Sequence, residues 1–322
     1  MRLAIVTFSV LASAFVPAAA ARAQAPPAPP PPAPAQMALK LERVGGSPTA
    51  VLSGSRVGVR GTTPVFAAGE AVTVRVYIGG KKRHAERVAL QPGTGGTGTI
   101  LLSYRPRWPG TMVVTATRRA SPAMSAFTAK SHSVDVLPRR VTPRSGGASI
   151  RALQRRLRRL GYVTGSPGSY DARTARAVLA FRKVTGMART TSASTAVMRR
   201  IARGAGHFRI RFPEHGRHIE ADLSRQVIAL IDGGRVRRIY PVSSGAPSTP
   251  TVVGSFKVYL KTPGTNASGM VHSAYFIRGY ATHGYASVPT YPASHGCLRV
   301  PIPDAKSLFN WIRIGTPVDV YP

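Results

Sequence analysis

The chain has 322 residues and is poor in three things: cysteine, acidic residues and long apolar runs. It contains one cysteine, Cys297. A single thiol cannot close an internal disulfide, so a small disulfide-stapled scaffold is excluded. In an exported protein such a thiol adds no stability and invites oxidation, so it is either a buried accident or a reactive group. Acidic residues number 11 against 45 basic ones, for a net charge of +34. The one long apolar run is Leu3 to Val16, shorter than the ~18–20 residues a membrane-spanning helix needs. No other stretch is apolar enough to span.

That run has the layout of a secretory signal peptide. Arg2 supplies a minimal positive start, and small-residue sites follow at Ala21-Arg22-Ala23 and Ala23-Gln24-Ala25. Cleavage is expected after Ala25, the alternative being an uncleaved anchor. No cysteine follows the run, which excludes a lipoprotein. Residues 26–36 are almost all Pro and Ala, a semi-rigid polyproline spacer. Export places the chain at the cell wall or the periplasmic side of the membrane. It also argues against nucleic acid as the partner of the positive charge. The basic residues are spread along the whole chain, and 37 of the 45 are arginine. They fit anionic wall polymers, or simply a GC-rich genome.

Three composition regimes follow. Residues 37–140 carry short alternating runs such as Val72-Thr73-Val74-Arg75-Val76-Tyr77-Ile78, separated by Gly and Pro turns. This pattern predicts a β-sandwich and resembles an immunoglobulin-like domain. Residues 145–204 switch to a helical period. Ile150, Leu153, Leu157 and Leu160 share a face that Gly161 ends, and Asp171 can cap a second helix that Gly186 ends. A third helix starts near Ser194, making a small three-helix bundle. Residues 206–322 return to β character, with a strand at Val227–Ile231, a turn at Asp232-Gly233-Gly234 and an alternating Phe256, Val258, Leu260. One late helix is expected from Asp304 to Arg313.

The chemistry concentrates in Ser294-His295-Gly296-Cys297-Leu298-Arg299, with His283-Gly284 upstream. A thiol attacks as thiolate, and a histidine within reach can take its proton and later return it. Gly296 permits close backbone approach, and the amides of Gly296 and Cys297 are candidate oxyanion donors. Two alternatives stand beside this reading. The residues can be structural, or two histidines and the cysteine can hold zinc, although a fourth partner and the usual ligand spacing are missing.

The string Ser294-His295-Gly296-Cys297-Leu298-Arg299 resembles the signature of L,D-transpeptidases of the YkuD type, and His283-Gly284 resembles that family's upstream His-Gly. The likeness runs over about residues 215–322 and includes Gly254-Ser255-Phe256 and Gly315-Thr316-Pro317-Val318. The gap of ten residues between His283 and Ser294 is shorter than in many members. The bundle resembles the three-helix peptidoglycan-binding domain through Leu153-Gln154, Leu160-Gly161-Tyr162, Tyr170-Asp171 and Ala180-Phe181. It departs from that pattern at Arg182 and in the glycine-free stretch from Ala188 to Ser194. The resemblance implies Cys297 as nucleophile and His283 as proton acceptor and donor. Ser294, His295 and Gly296 would shape the site, and Arg299 would orient it or meet a substrate carboxylate. His272, which lacks a following Gly, is read as structural. The implied reaction joins two third-position residues of peptidoglycan stem peptides through a cysteine thioester, releasing D-alanine. It needs no cofactor and no metal. The implied partners are stem peptides and glycan, with carbapenem-type β-lactams as inhibitors. The alternatives are an L,D-carboxypeptidase and a non-catalytic wall-binding protein.

Overall fold

A computed structural model describes residues 36–43 and 49–322. The expected signal segment and all of the Pro/Ala spacer but its last residue lie outside the described residues. No helix among those described is long and apolar enough to cross a membrane.

The N-terminal region is a two-sheet β structure. One sheet runs in the order Ala38–Arg43, Val57–Thr63, Gly98–Tyr104, Gln91–Pro92. The other runs Ala50–Leu52, Val134–Leu137, Gly110–Arg118, Ala71–Ile78, Lys81–Ala89, with Phe127–Lys130 paired to Gly110–Arg118. The period-two pattern sets the inner faces. Val57 and Val59 of one sheet share a core with Val72, Val74, Val76 and Ile78 of the other, and the alternate residues point outward.

The bundle comprises α1 (Gly147–Arg159), α2 (Ala172–Val184) and α3 (Thr195–Ala202). The Asp171 carboxylate accepts the Thr174 amide at 2.8 Å and the Ser194 hydroxyl accepts from Val197, so both residues act as N-caps. The core of the bundle does not stop at its own boundary. Ala50 and Leu137 of the β region, the apolar faces of the three helices, and Val227, Ala229, Ile231 and Ile239 of the C-terminal domain form one continuous buried cluster.

The C-terminal domain has two sheets. The first runs Arg235–Pro241, Val227–Asp232, His218–Asp222, Pro317–Tyr321, Gly254–Lys257, with His218–Asp222 parallel to Pro317–Tyr321. The second runs Leu260–Thr265, Val271–Ile277, Tyr280–Tyr285, Leu298–Pro301, and its last pair is parallel. The helix α4 (Ile302–Trp311) packs across that second sheet. Gly284 permits the approach, since a Cβ there would lie 2.6 Å from the Ala305 Cβ. Two sequence expectations shift. The late helix starts two residues before Asp304 and ends at Trp311, leaving Ile312 extended but buried. The alternating Phe256, Val258, Leu260 is not one strand. Buried Val258 exchanges backbone hydrogen bonds with Thr316 and Gly315, and there the chain crosses from the first sheet to the second.

Candidate active site

The parallel pair of strands Tyr280–Tyr285 and Leu298–Pro301 builds the site. Their register sets His283 opposite Arg299 and Thr282 opposite Leu298. Cys297 stands in the bend just before Leu298–Pro301, two residues from Arg299, which sets it near the register partner of His283. The electrostatics agree, because the Arg299 charge acts on both Cys297 and His283.

His283 is 2% exposed. Its Nδ1 lies 2.9 Å from the Gly284 carbonyl, so that nitrogen is the donor and Nε2 is left as the acceptor. Burial lowers the imidazole pKa, with Arg299 adding to the effect, and the ring therefore rests neutral, as a base must. The ring meets Tyr285 edge-on at 5.7 Å, and the Arg299 guanidinium covers the same Tyr285 at 4.2 Å.

Cys297 is half-buried, and its Sγ is 3.7 Å from the Gly279 carbonyl. Burial pushes the thiol pKa up, while the Ala281 amide and Arg299 oppose it. Both shifts favour the neutral forms, an uncharged thiol and an uncharged imidazole.

The turn that presents Cys297 is held from within and from below. Ser294 is buried; its hydroxyl donates to the Cys297 carbonyl at 2.6 Å and accepts the Gly296 amide at 3.1 Å. The Gly296 amide, expected as an oxyanion donor, is thus committed to Ser294, which leaves the Cys297 amide as the candidate. Gly296 sits at φ +110° with the Tyr280 ring against it, where a Cβ would fall 1.9 Å from a ring carbon. No side chain fits there. The Thr251 hydroxyl donates to the Gly296 carbonyl at 2.8 Å. The Ser244 carbonyl accepts both the Ala293 and Ser294 amides at 2.9 Å. Arg299 donates to the Ala293 carbonyl at 3.2 Å and does not pair with Asp304, whose carboxylate is held by Arg173 and Arg176. His295 is exposed and stands apart from this network. His272 packs on Phe309 at 5.3 Å and accepts the Gly264 amide, away from the site. Among the described residues no group of three His, Cys, Asp or Glu side chains is placed to hold a metal ion.

Comparison with known proteins bears on this geometry. The L,D-transpeptidase catalytic domain model, YkuD, matches residues 216–320, and a peptidoglycan binding domain model matches residues 146–201. A crystal structure of an L,D-transpeptidase (residues 123–326) from Xylanimonas cellulosilytica is 34% identical, covers 56% of this chain and 97% of its own, and superposes with a TM-score of 0.51. The chain belongs to the L,D-transpeptidase family. Other solved structures similar to it include an L,D-transpeptidase from Stackebrandtia nassauensis, 20% identical over 55% of this chain and 92% of its own, TM-score 0.35. The catalytic domain of the E. faecium L,D-transpeptidase acylated by ertapenem is 30% identical over 33% of this chain and 97% of its own, TM-score 0.29. No curated protein matches the chain. As an L,D-transpeptidase with a bundle of the peptidoglycan-binding family, the chain carries the architecture read from its sequence. Sequence reasoning missed Tyr280, whose trace is only the glycine it demands at 296. It also missed Gln226, which holds Ser244 beneath that turn, Lys183, which holds Gln226, and Arg189, which donates to the Thr290 carbonyl.

Proposed function

We propose that this L,D-transpeptidase joins peptidoglycan stem peptides through their third-position residues, by way of a thioester on Cys297. Sγ attacks the carbonyl of the third residue while His283 Nε2 takes the thiol proton. The tetrahedral oxyanion meets the Cys297 amide. His283 then gives the proton to the departing amine, and D-alanine leaves. An amine of a second stem attacks the thioester, His283 takes its proton, and the thiol is regenerated. Arg299 keeps the imidazole unprotonated before attack and favours the thiolate as it forms. The bundle would hold the glycan while the C-terminal domain works on its peptides. The positive surface would suit anionic wall polymers outside the cytoplasm.

The observation that carries this reading is the register pairing of His283 with Arg299. With Cys297 two residues from Arg299 and the Gly284 carbonyl engaging His283 Nδ1, this pairing supports His283 Nε2 as the group that receives the thiol proton. The test is intact-protein mass spectrometry with a carbapenem, a strained acyl donor. One adduct is expected, absent in Cys297→Ala and slowed roughly 10²–10⁴-fold in His283→Ala, the usual worth of a positioned acid–base group. An adduct that persists in Cys297→Ala would overturn the nucleophile. Product analysis with a disaccharide-tetrapeptide then separates transferase from hydrolase. Dimers linked through third-position residues are expected. Tripeptide as sole product, with excess acceptor amine present, would make the enzyme an L,D-carboxypeptidase.

A further inference from the structure

The N-terminal β region carries a feature that the acyl-transfer site does not use. At one end of the sandwich, the last residues of Gly98–Tyr104 and the loop after them face the strand Lys81–Ala89 across an open cleft of about 430 Å³. Arg56, Arg83, Arg105 and Arg107 line it together with Tyr104 and Trp108. Trp108 is 41% exposed, a large aromatic residue at the surface of the sandwich. The Arg83 guanidinium stacks over its ring at 4.5 Å, and the Arg83 Nε is buried without a hydrogen-bond partner. Tyr104 also belongs to this constellation. Burial raises its pKa while the charges of Arg83 and Arg107 act against that, so both guanidinium groups lie near its hydroxyl. Arg105 reaches the Gly54 carbonyl at 3.3 Å. Among the described residues none of the four arginines forms an ion pair. The neighbouring carboxylate, Glu86, is engaged by His84 at 3.0 Å.

Four like charges around one cleft repel each other, and among the described residues no carboxylate pairs with them. The arrangement is stable in water but is completed by an anion. Guanidinium forks match carboxylate and phosphate oxygens in pairs. An indole beside them supplies the flat apolar face on which a sugar ring stacks. We infer that this cleft is a binding site for an anionic glycan of the cell wall, taking a charged sugar residue between the arginines and Trp108. A nucleic acid offers similar chemistry, but a polymer at the wall is what an L,D-transpeptidase meets. The inference rests on the wall as the working place and not on the acyl-transfer steps.

The test uses the full chain carrying Trp311→Phe, so that Trp108 alone reports by fluorescence. The probe is an oligogalacturonate at 0.15 M salt, with neutral dextran and a single-stranded oligonucleotide of equal charge beside it. Saturable quenching by oligogalacturonate but not dextran is expected. Arg56→Gln/Arg107→Gln should weaken binding at least tenfold by calorimetry, as should Trp108→Ala, whereas Trp108→Phe should retain most of it. Removing two exposed charges on the C-terminal domain, Arg235→Gln/Arg237→Gln, should change it less than twofold. Equal losses from the two double variants would reduce the site to general polycation attraction and overturn it. So would tighter binding of the oligonucleotide with the same dependence on Arg56, Arg107 and Trp108. No readout involves acyl transfer, so failure here and failure of the thioester chemistry remain distinguishable.

Discussion

At the residue scale, two neighbours of Cys297, the proposed nucleophile, act in different ways. Gly296 acts sterically. Any side chain there meets both the left-handed backbone and the Tyr280 ring, so Gly296→Ala must move the turn that aims Sγ. Gly296→Ala is expected to lose at least 100-fold in carbapenem acylation rate at unchanged fold by circular dichroism. Adding Tyr280→Ala should recover only part, because the strain at φ remains; full recovery would show that the ring contact is the whole constraint. Arg299 acts through charge. It lowers the pKa of His283, secondary to burial, and offsets the upward push on Cys297. In Arg299→Met both pKa values should rise, the imidazole toward its ordinary range and the thiol further above it. The pH–rate profile of acylation should therefore shift to higher pH on its rising limb. Histidine ring NMR should show His283 titrating at higher pH than in the parent. An unmoved profile would leave Arg299 as a purely structural cap on the Ala293 carbonyl.

At the element scale, α2 does more than fill the bundle. Lys183, near its C-terminal end, is 3% exposed and donates to the Gln226 and Val242 carbonyls of the C-terminal domain at 3.0 and 2.9 Å. Gln226 in turn holds Ser244 by side chain and backbone at 2.6 and 3.0 Å, and the Ser244 carbonyl carries the amides of Ala293 and Ser294. Burial lowers the lysine pKa to about 7. Unfolded, it keeps its proton to about 10.5, so between those values the unfolded chain binds more protons and stability rises with pH. Below pH 7 both forms are charged and the cost is constant. The unfolding midpoint in urea should therefore increase from pH 7 to 9.5 in the parent and lack this increment in Lys183→Met. Equal slopes would mean that the ammonium group finds water in the folded state. This lysine was not legible in the sequence, because a lysine on an amphipathic helix is normally solvated. The helices themselves were legible, since period and caps agree at Asp171, Ser194, Gly161 and Gly186. So were the strings that carry the family resemblance, Ser294 to Arg299 and His283-Gly284. The strands His218–Asp222 and Tyr280–Tyr285 were not. Both are buried along nearly their whole length, so neither alternates, and both carry polar residues such as Glu220 and His283 that an apolar run would not include.

At the scale of the whole molecule, the three regions do not behave as beads on a string. One apolar cluster runs through all of them, and a buried carboxylate marks each junction. Asp135 of the β region is approached by Arg159 at 2.6 Å, Arg155 at 3.4 Å and Arg156 at 4.0 Å, all on α1. Asp304 of α4 is held by Arg173 at 2.8 Å and Arg176 at 3.0 Å, both on α2. The bundle also reaches the segment that leads into the Ser294–Cys297 turn, since Arg189 donates to the Thr290 carbonyl at 2.9 Å as well as to the Ser224 carbonyl at 2.8 Å. Tyr291 beside it is 60% exposed, so that segment is tied by its backbone and not by an inserted ring. Removing one carboxylate should loosen one junction. Asp304→Asn leaves arginines that can turn partly toward water, so the loss is about 1–3 kcal/mol, below that for a fully enclosed pair. Calorimetry of the full chain should show the bundle and the C-terminal domain melting in one transition in the parent. In Asp304→Asn a lower-temperature shoulder should separate, while Asp135→Asn should instead release the β region. Separate transitions already in the parent would mean that the continuous cluster does not couple the domains, and that the bundle reaches the catalytic turn only as a tethered neighbour.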